Sequence, residues 1–311
     1  MQGKKPMVLT RRHLLSGIST GLFASALPGV LHAQTTSHTD ITDNMVLISG
    51  LGGNVLACSI GDGLILVDTG NVRLISSLLD SLDALDGRER VHTVFNTHWH
   101  LDQVGGNAYF GGQGANIIAH EKTRQYLSTP YYLFEEERYQ EPVPEAAMPT
   151  ETIYQEGQMT IAGDNIEYAY LQSAHTNGDI YVRFVNANVI AAGDVVSPEI
   201  DPVFDWFSGG WVGGRVDALD GLLDLCDNET VIVPAYGPAI ARKNVEAERD
   251  FMQYIYDTLV DQIRMGFDYR DSLASGMMDA APRQLDNPEK FLYDAHKGFW
   301  AHHNKLEPNI V

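Results

Sequence analysis

Between Val91 and Asn107 the chain reads VHTVFNTHWHLDQVGGN, and no other stretch places so many potential metal ligands so close together. Val91, Thr93 and Phe95 alternate with His92, Val94 and Asn96, the β-branched and aromatic pattern of a buried strand. His98, His100 and Asp102 follow at two-residue spacing, and Gly105-Gly106 lets the chain bend sharply before a helix. Two imidazoles and a carboxylate suit a divalent ion such as zinc, and a catalytic site adds a third protein ligand and keeps one position open for water. A lone His-x-His also fits a polar loop capping a strand end; the strand before it, Asp102 and the Gly-Gly turn point to a metal. His175, in Ser173-Ala174-His175-Thr176-Asn177-Gly178-Asp179 between two expected strands, is the natural third nitrogen, and Asp194 stands at the end of the Val189–Gly193 run.

NTHWHLDQVGGN resembles the H-x-H-x-D-H signature of the metallo-β-lactamase superfamily, in particular its periplasmic, cyclase-like branch. The resemblance runs from about Asn44 to about Arg242 and includes GGNVLACSIGDGLILVDTG, SAHTNGD, AAGDVV and VPAYGP. It implies an α/β fold, an αββα sandwich, with His98, His100 and His175 as the first metal site, Asp194 as the bridging carboxylate and Asp102 in a second site. Two positions depart from the pattern: Gln103 stands in place of a histidine, and Tyr236 stands in place of the last histidine of a Gly-His-Gly-type turn. Both belong to the second site. An amide oxygen is a weak ligand and a phenol of ordinary pKa near ~10 must lose its proton to bind well. The expectation is therefore one ion per chain, zinc in the first instance with iron or manganese open, and Gln103 as at most a weak second-site ligand. Asp102 would orient water or accept its proton, and Tyr236 would donate to a developing oxyanion or leaving group.

The chain has 311 residues, 44% of them hydrophobic, enough for a full core in one large domain. With 41 Asp and Glu against 21 Lys and Arg the formal charge is −20, a surface that repels phosphate backbones and anionic headgroups, so a small-molecule substrate is expected and nucleic acid is not. Residues 1–33 differ: Lys4, Lys5, Arg11 and Arg12 are their only charged residues, and an apolar run from Leu14 to Val30 follows. Thr10-Arg11-Arg12-His13-Leu14-Leu15 resembles a twin-arginine export signal, which implies a periplasmic destination, and Gly17, Gly21, Pro28 and Gly29 argue against a lasting membrane anchor. Cys58 and Cys226 read as two buried free thiols.

Around the metal stretch, residues 34–43 read as a loose leader and 44–242 as the sandwich. Strands are expected at Met45–Ser49, Asn54–Ile60, Leu64–Asp68, Asn116–Ala119, Thr152–Tyr154, Met159–Ala162, Ile166–Leu171, Ile180–Val185, Val189–Ala192 and Thr230–Val233. Helical spacing marks 72–86, Glu121–Leu127, Arg215–Cys226 and Lys243–Met265, and 243–311 reads as a helical C-terminal extension. Residues 128–150, with four prolines, form a surface excursion, and Ser197–Gly214, rich in aromatics and glycine, reads as a pocket wall or lid. His92 and His120 suit packing or capping, and Trp99 should turn away from the ion into packing or a pocket rim. His296, His302 and His303 lie outside the resemblance.

These features point to a periplasmic metal-dependent hydrolase acting on a carbonyl-type substrate: a lactone, ester, thioester or lactam. The scarcity of Lys and Arg near the ligands disfavours phosphoesters. Two further readings fit the same residues: a non-catalytic metal- or ligand-binding protein, and a mononuclear iron dioxygenase, which dioxygen consumption would reveal.

Overall fold

A computed structural model of the chain describes residues 36–85, 90–133, 137–161 and 163–302. Residues 1–33, read above as an export signal, and His303 lie outside the described residues. Seven strands form the first sheet in the order β1-β2-β3-β4-β5-β6-β9: β1 (Ser37–Thr42), β2 (Met45–Ser49), β3 (Val55–Ser59), β4 (Leu64–Val67), β5 (Val91–Phe95), β6 (Asn116–His120) and β9 (Glu151–Ile153). Six form the second: β10 (Glu156–Ile161), β11 (Asp164–Tyr170), β12 (Ile180–Phe184), β13 (Val189–Gly193), β14 (Val231–Pro234) and β15 (Ile240–Ala241). A separate hairpin pairs β7 (Tyr131–Leu133) with β8 (Arg138–Gln140).

Successive side chains of a strand point to opposite faces, and here both faces are covered. Leu56, Ile65, Val67 and Phe95 face inward against Ile166, Val182, Phe184 and Val233 of the other sheet. Their neighbours Ala57, Leu64, Leu66 and Val94 face outward and meet Leu78 and Leu82 of helix α1 (Ile75–Leu82) and Phe110 of α2 (Asn107–Gly112). Beyond the second sheet, Ile190 and Ile232 pack on α4 (Val212–Leu225), α5 (Arg242–Arg264) and α7 (Pro288–Ala301) through Leu219, Leu222, Phe251, Ile255 and Leu292. The layers are therefore helix, sheet, sheet, helix. The short helices α3 (Glu121–Ser128) and α6 (Tyr269–Ala274) complete the described set. No described helix is long and apolar enough to cross a membrane.

Several elements differ from expectation. The leader at 34–43 contains β1, which pairs antiparallel with β2; its Ser-His-Thr-Asp-Ile-Thr sequence is polar because the edge strand is largely exposed. The excursion at 128–150 carries the β7–β8 hairpin, whose strands are too short to show an alternation. α1 starts at Ile75 after a 3-10 turn over Val72–Leu74, capped by the Asn71 side chain. The stretch read as a lid to Gly214 turns helical at Val212, and Trp211 is buried in the outer core. Cys58 is buried, but Cys226, at the end of α4, is half-buried.

His120 caps α3, its ring accepting from the Lys122 amide. His92 lies in β5. His296 is buried against Ser272 Oγ at 3.0 Å, and His302 stacks on Trp211. His120, His296 and His302 are accounted for by packing or capping, while His92 Nε2 lies 3.6 Å from Asp62 without a hydrogen-bond partner.

Candidate metal centre

The loop after β5 is pinned before it presents any ligand. Asn96 and Asn107 exchange side-chain amide hydrogen bonds at 2.8 and 3.1 Å across the loop, and Thr69 Oγ1 donates to Asn107 while accepting from the Gly106 amide. Gly105 has no room for a side chain, since a Cβ would run into the backbone of Asn71 and Val72. The second half-site comes from the other sheet. The β11–β12 turn is fixed by Asp179, whose carboxylate accepts from the amides of His175 at 2.7 Å and Thr176 at 2.8 Å. Gly210 packs directly on the carbonyl of His175, where a Cβ would collide. Asp194 follows the last residue of β13.

These elements bring His98, His100, His175 and Asp194 together, with one ligand atom from each lying within 4.8 Å of the others. His175 Nε2 is 3.0 Å from His100 Nδ1, and Asp194 Oδ2 is 3.4 Å from both His98 Nε2 and His175 Nε2. The ring nitrogens that face away are all engaged. His98 Nδ1 meets Thr97 Oγ1 at 3.1 Å, and that hydroxyl donates to Asp68 at 2.7 Å. His175 Nδ1 meets the Val203 carbonyl at 2.9 Å, and His100 Nε2 meets Asp205 Oδ2 at 3.1 Å. Such partners fix the ring orientation and leave the opposite nitrogen for an ion. His98 Nε2 is buried with no hydrogen-bond partner, a costly state unless a cation sits there. The donor set fits a divalent metal, three imidazoles and one carboxylate, as in zinc sites.

The electrostatics agree. Burial, reinforced by His100, pushes His98 well below the ordinary imidazole value and His175 down to about 3, so both rings are neutral with lone pairs available. His100 runs the other way: burial lowers it, but the Asp205 contact and the charges of Asp205, Asp102 and Asp194 outweigh burial and raise it to about 9. Burial, then the charge of Asp102, raises Asp194 to about 7. Too much negative charge for one buried place is what a bound cation relieves.

Asp102 and Gln103 are not in that group. Tyr236 Oη donates to Asp102 Oδ2 in a very short contact, and Gln103 Nε2 donates to Tyr236 Oη at 3.3 Å. Burial, then Asp194 and Asp102, raises the Tyr236 phenol, which therefore keeps its proton. Gln103 is fully buried. Tyr236 thus bridges Asp102 and Gln103 at the second-site positions, and Gln103 Oε1 is left without a hydrogen-bond partner.

Residues 48–293 match the family model of the metallo-beta-lactamase superfamily. The chain belongs to that superfamily. A metallo-beta-lactamase from Pontibacter korlensis is similar in structure at TM-score 0.55 and 19% identity, covering 70% of this chain and 99% of its own. The stereoselective inverting sec-alkylsulfatase Pisa1 from Pseudomonas sp. is similar at TM-score 0.63 and 13% identity, covering 89% of this chain and 52% of its own. At these identities the likeness is one of fold. By sequence, the chain is 25% identical over 185 residues to the alpha subunit of a 2,4-dinitroanisole O-demethylase from Nocardioides sp. (strain JS1661). That alignment takes in 58% of this chain and 51% of the relative, so the chain spans about half the length of the curated relative it matches.

Within this superfamily member, sequence reasoning missed Asp205 and the Val203 carbonyl. Both lie in the 197–214 stretch, where Asp205 stands among aromatics in Phe204-Asp205-Trp206-Phe207. An acid in such surroundings was the available signal. It also missed the clamp behind that stretch: buried Arg215 bonds Glu248 at 2.8 Å and Ser197 Oγ at 2.7 Å, and its other nitrogen donates to Val203 O. Trp99 is buried beside the site and packs with Val104 and Leu127.

Proposed function

We propose that the protein is a metal-dependent hydrolase that holds one ion, zinc in the first instance, and cleaves a small carbonyl-type substrate: an ester, lactone, thioester or lactam. The observation that carries this reading is the buried His98 Nε2, without a hydrogen-bond partner, converging with His100, His175 and Asp194, while Tyr236 is bonded to Asp102 and Gln103 beside them. A divalent ion in that group supplies a Lewis acid and lets water lose a proton near neutral pH.

The chain's own residues supply the rest. A cavity of about 240 Å³ lies over the centre, lined by His100, Asp102, His175, Asp194, Ile200 and Tyr236 among others. Tyr236 takes up Asp102 Oδ2, which leaves Oδ1 as the acceptor of the proton that water gives up. Gln103 donates to the phenol oxygen and positions it, while burial and the charges of Asp194 and Asp102 keep the phenol protonated. In the overall step the water oxygen forms the new bond to the carbonyl carbon, the bond to the leaving oxygen, sulfur or nitrogen breaks, and the proton passes through Asp102 to the leaving group. Asp205 keeps the His100 ring turned toward the centre.

The twin-arginine pattern at Arg11-Arg12 supports a periplasmic site of action, and the acidic surface supports a small molecule as the partner rather than nucleic acid. R11K/R12K should leave the protein in the cytoplasm; export of the double variant through the same route contradicts that address. The hydrolase reading is tested with H100A: metal retention and turnover of a panel of esters, lactones and lactams should be lost together. Undiminished turnover by metal-free H100A protein would sink it.

A further inference from the structure

Beside the metal centre lies a second, larger cavity of about 580 Å³, a size suited to a drug-sized molecule. His100 and Val203 line both it and the smaller cavity over the ligands, so the two adjoin at the reacting position. Its walls come from the loop after β5, strand β7, the 203–207 stretch, Tyr269 of α6 and the start of α7.

Aromatic rings dominate the lining. Trp99 stands edge-on to His100 with ring centres 4.7 Å apart and to Tyr131 at 4.5 Å; Tyr131 meets Phe207 at 5.8 Å, and Phe207 meets Trp206 at 5.5 Å. Phe207 is 48% exposed and presents its ring at the cavity mouth beside Tyr131 and Trp206, a contiguous aromatic face of the kind that marks a binding groove. Tyr293 lines the cavity from α7.

The charges select further. Asp205, Glu289 and Asp294 line the cavity, and the one lysine among the lining residues, Lys290, is paired with Asp294 at 2.5 Å. Asp205 is itself bonded to His100. Lys297, outside the lining, faces the Trp206 and Tyr293 rings at 5.6 and 5.3 Å, and Arg270 faces Tyr269 at 4.8 Å, so both cations are already set against π-systems. Among the described lining residues the cations are each paired with a carboxylate, His100 with Asp205 and Lys290 with Asp294, and Glu289 adds a further negative charge, so an anionic group entering here meets a wall of net negative charge.

We propose that this cavity seats the non-reacting part of the substrate, and that this part is a flat aromatic group that is uncharged or cationic and not anionic. The proposal rests on the hydrolase reading and narrows it to aryl-bearing carbonyl compounds, with the ring between Phe207, Tyr131 and Tyr293 and the carbonyl over the metal centre.

The test is equilibrium binding to the mature protein, metal-loaded and metal-depleted, of three matched probes: 2-naphthol, 2-naphthylmethylammonium and 2-naphthoate. The neutral and cationic probes should bind both forms, the carboxylate at least tenfold more weakly, and F207A and Y293A should each weaken 2-naphthol about tenfold. Y154A, which removes an exposed aromatic elsewhere, should leave binding unchanged. Equal binding of the carboxylate, or 2-naphthol affinity insensitive to both substitutions, overturns the proposal. Turnover of 2-naphthyl acetate and ethyl acetate by the loaded protein reads the hydrolase proposal separately. Equal turnover of both esters with no naphthol binding removes the aromatic seat and keeps the hydrolase. Naphthol binding that depends on Phe207 with no ester turned over keeps the seat and removes the hydrolase.

Discussion

Two sets of polar side chains lie side by side in this molecule, and both are drawn from residue types that can bind metals. His98, His100, His175 and Asp194 point ligand atoms at a common centre, while their outward nitrogens are tied to Thr97, Asp205 and the Val203 carbonyl. Asp102, Gln103 and Tyr236 point at each other. The first set converges on one point that a cation can occupy, while in the second Tyr236 is bonded to both Asp102 and Gln103. What makes a metal site is therefore less the presence of carboxylates and amides than the existence of partners that satisfy the far side of each ligand and leave the near side unsatisfied.

The sharpest way to break that contrast is to remove an inward lone pair. H98A should abolish metal retention and lower kcat by at least ~10³-fold, the scale on which a lost Lewis acid acts; elemental analysis and ester kinetics read both. Y236F strikes the other set. It should leave metal content unchanged and lower kcat by about 10²-fold, because Asp102 loses the donor that holds it; loss of the ion in this variant would show that the second set does contribute to binding. D205N weakens an outward partner only. Metal affinity should fall about tenfold to hundredfold with the ligand set intact, measured by competition with a chromogenic chelator. The mildest change is a gain: Q103H/Y236H frees Asp102 and adds two imidazoles, and the expected result is a second, weaker ion on top of the first.

Much of the first set was legible in the sequence because its geometry is local. A β-branched run followed by His98, His100 and Asp102 places the ligands at a strand end, and the glycines after them require a turn. His175 and Asp194 also sit at strand ends, where side chains reach a sheet edge. The fate of Asp102 was not legible, since its partner Tyr236 lies 134 residues away and only the packing of the two sheets brings them together. Asp205 was hidden for a similar reason: the 197–214 stretch has no periodicity, and its path is set by Arg215 and Glu248 from two outer helices. Strand β1 escaped because an exposed edge strand needs no apolar face. The aromatic cavity draws on five separate segments of the chain, none of which carries a binding motif by itself.

Metal content per chain, measured by elemental analysis on protein made from the full sequence and never exposed to chelator, tests the contrast between the two sets most directly. One ion per chain, lost in H98A and kept in Y236F, is the result that the proposed single-ion centre predicts. Two ions per chain in the unaltered protein would mean that Asp102, Gln103 and Tyr236 give up their mutual hydrogen bonds to bind metal, and would contradict it.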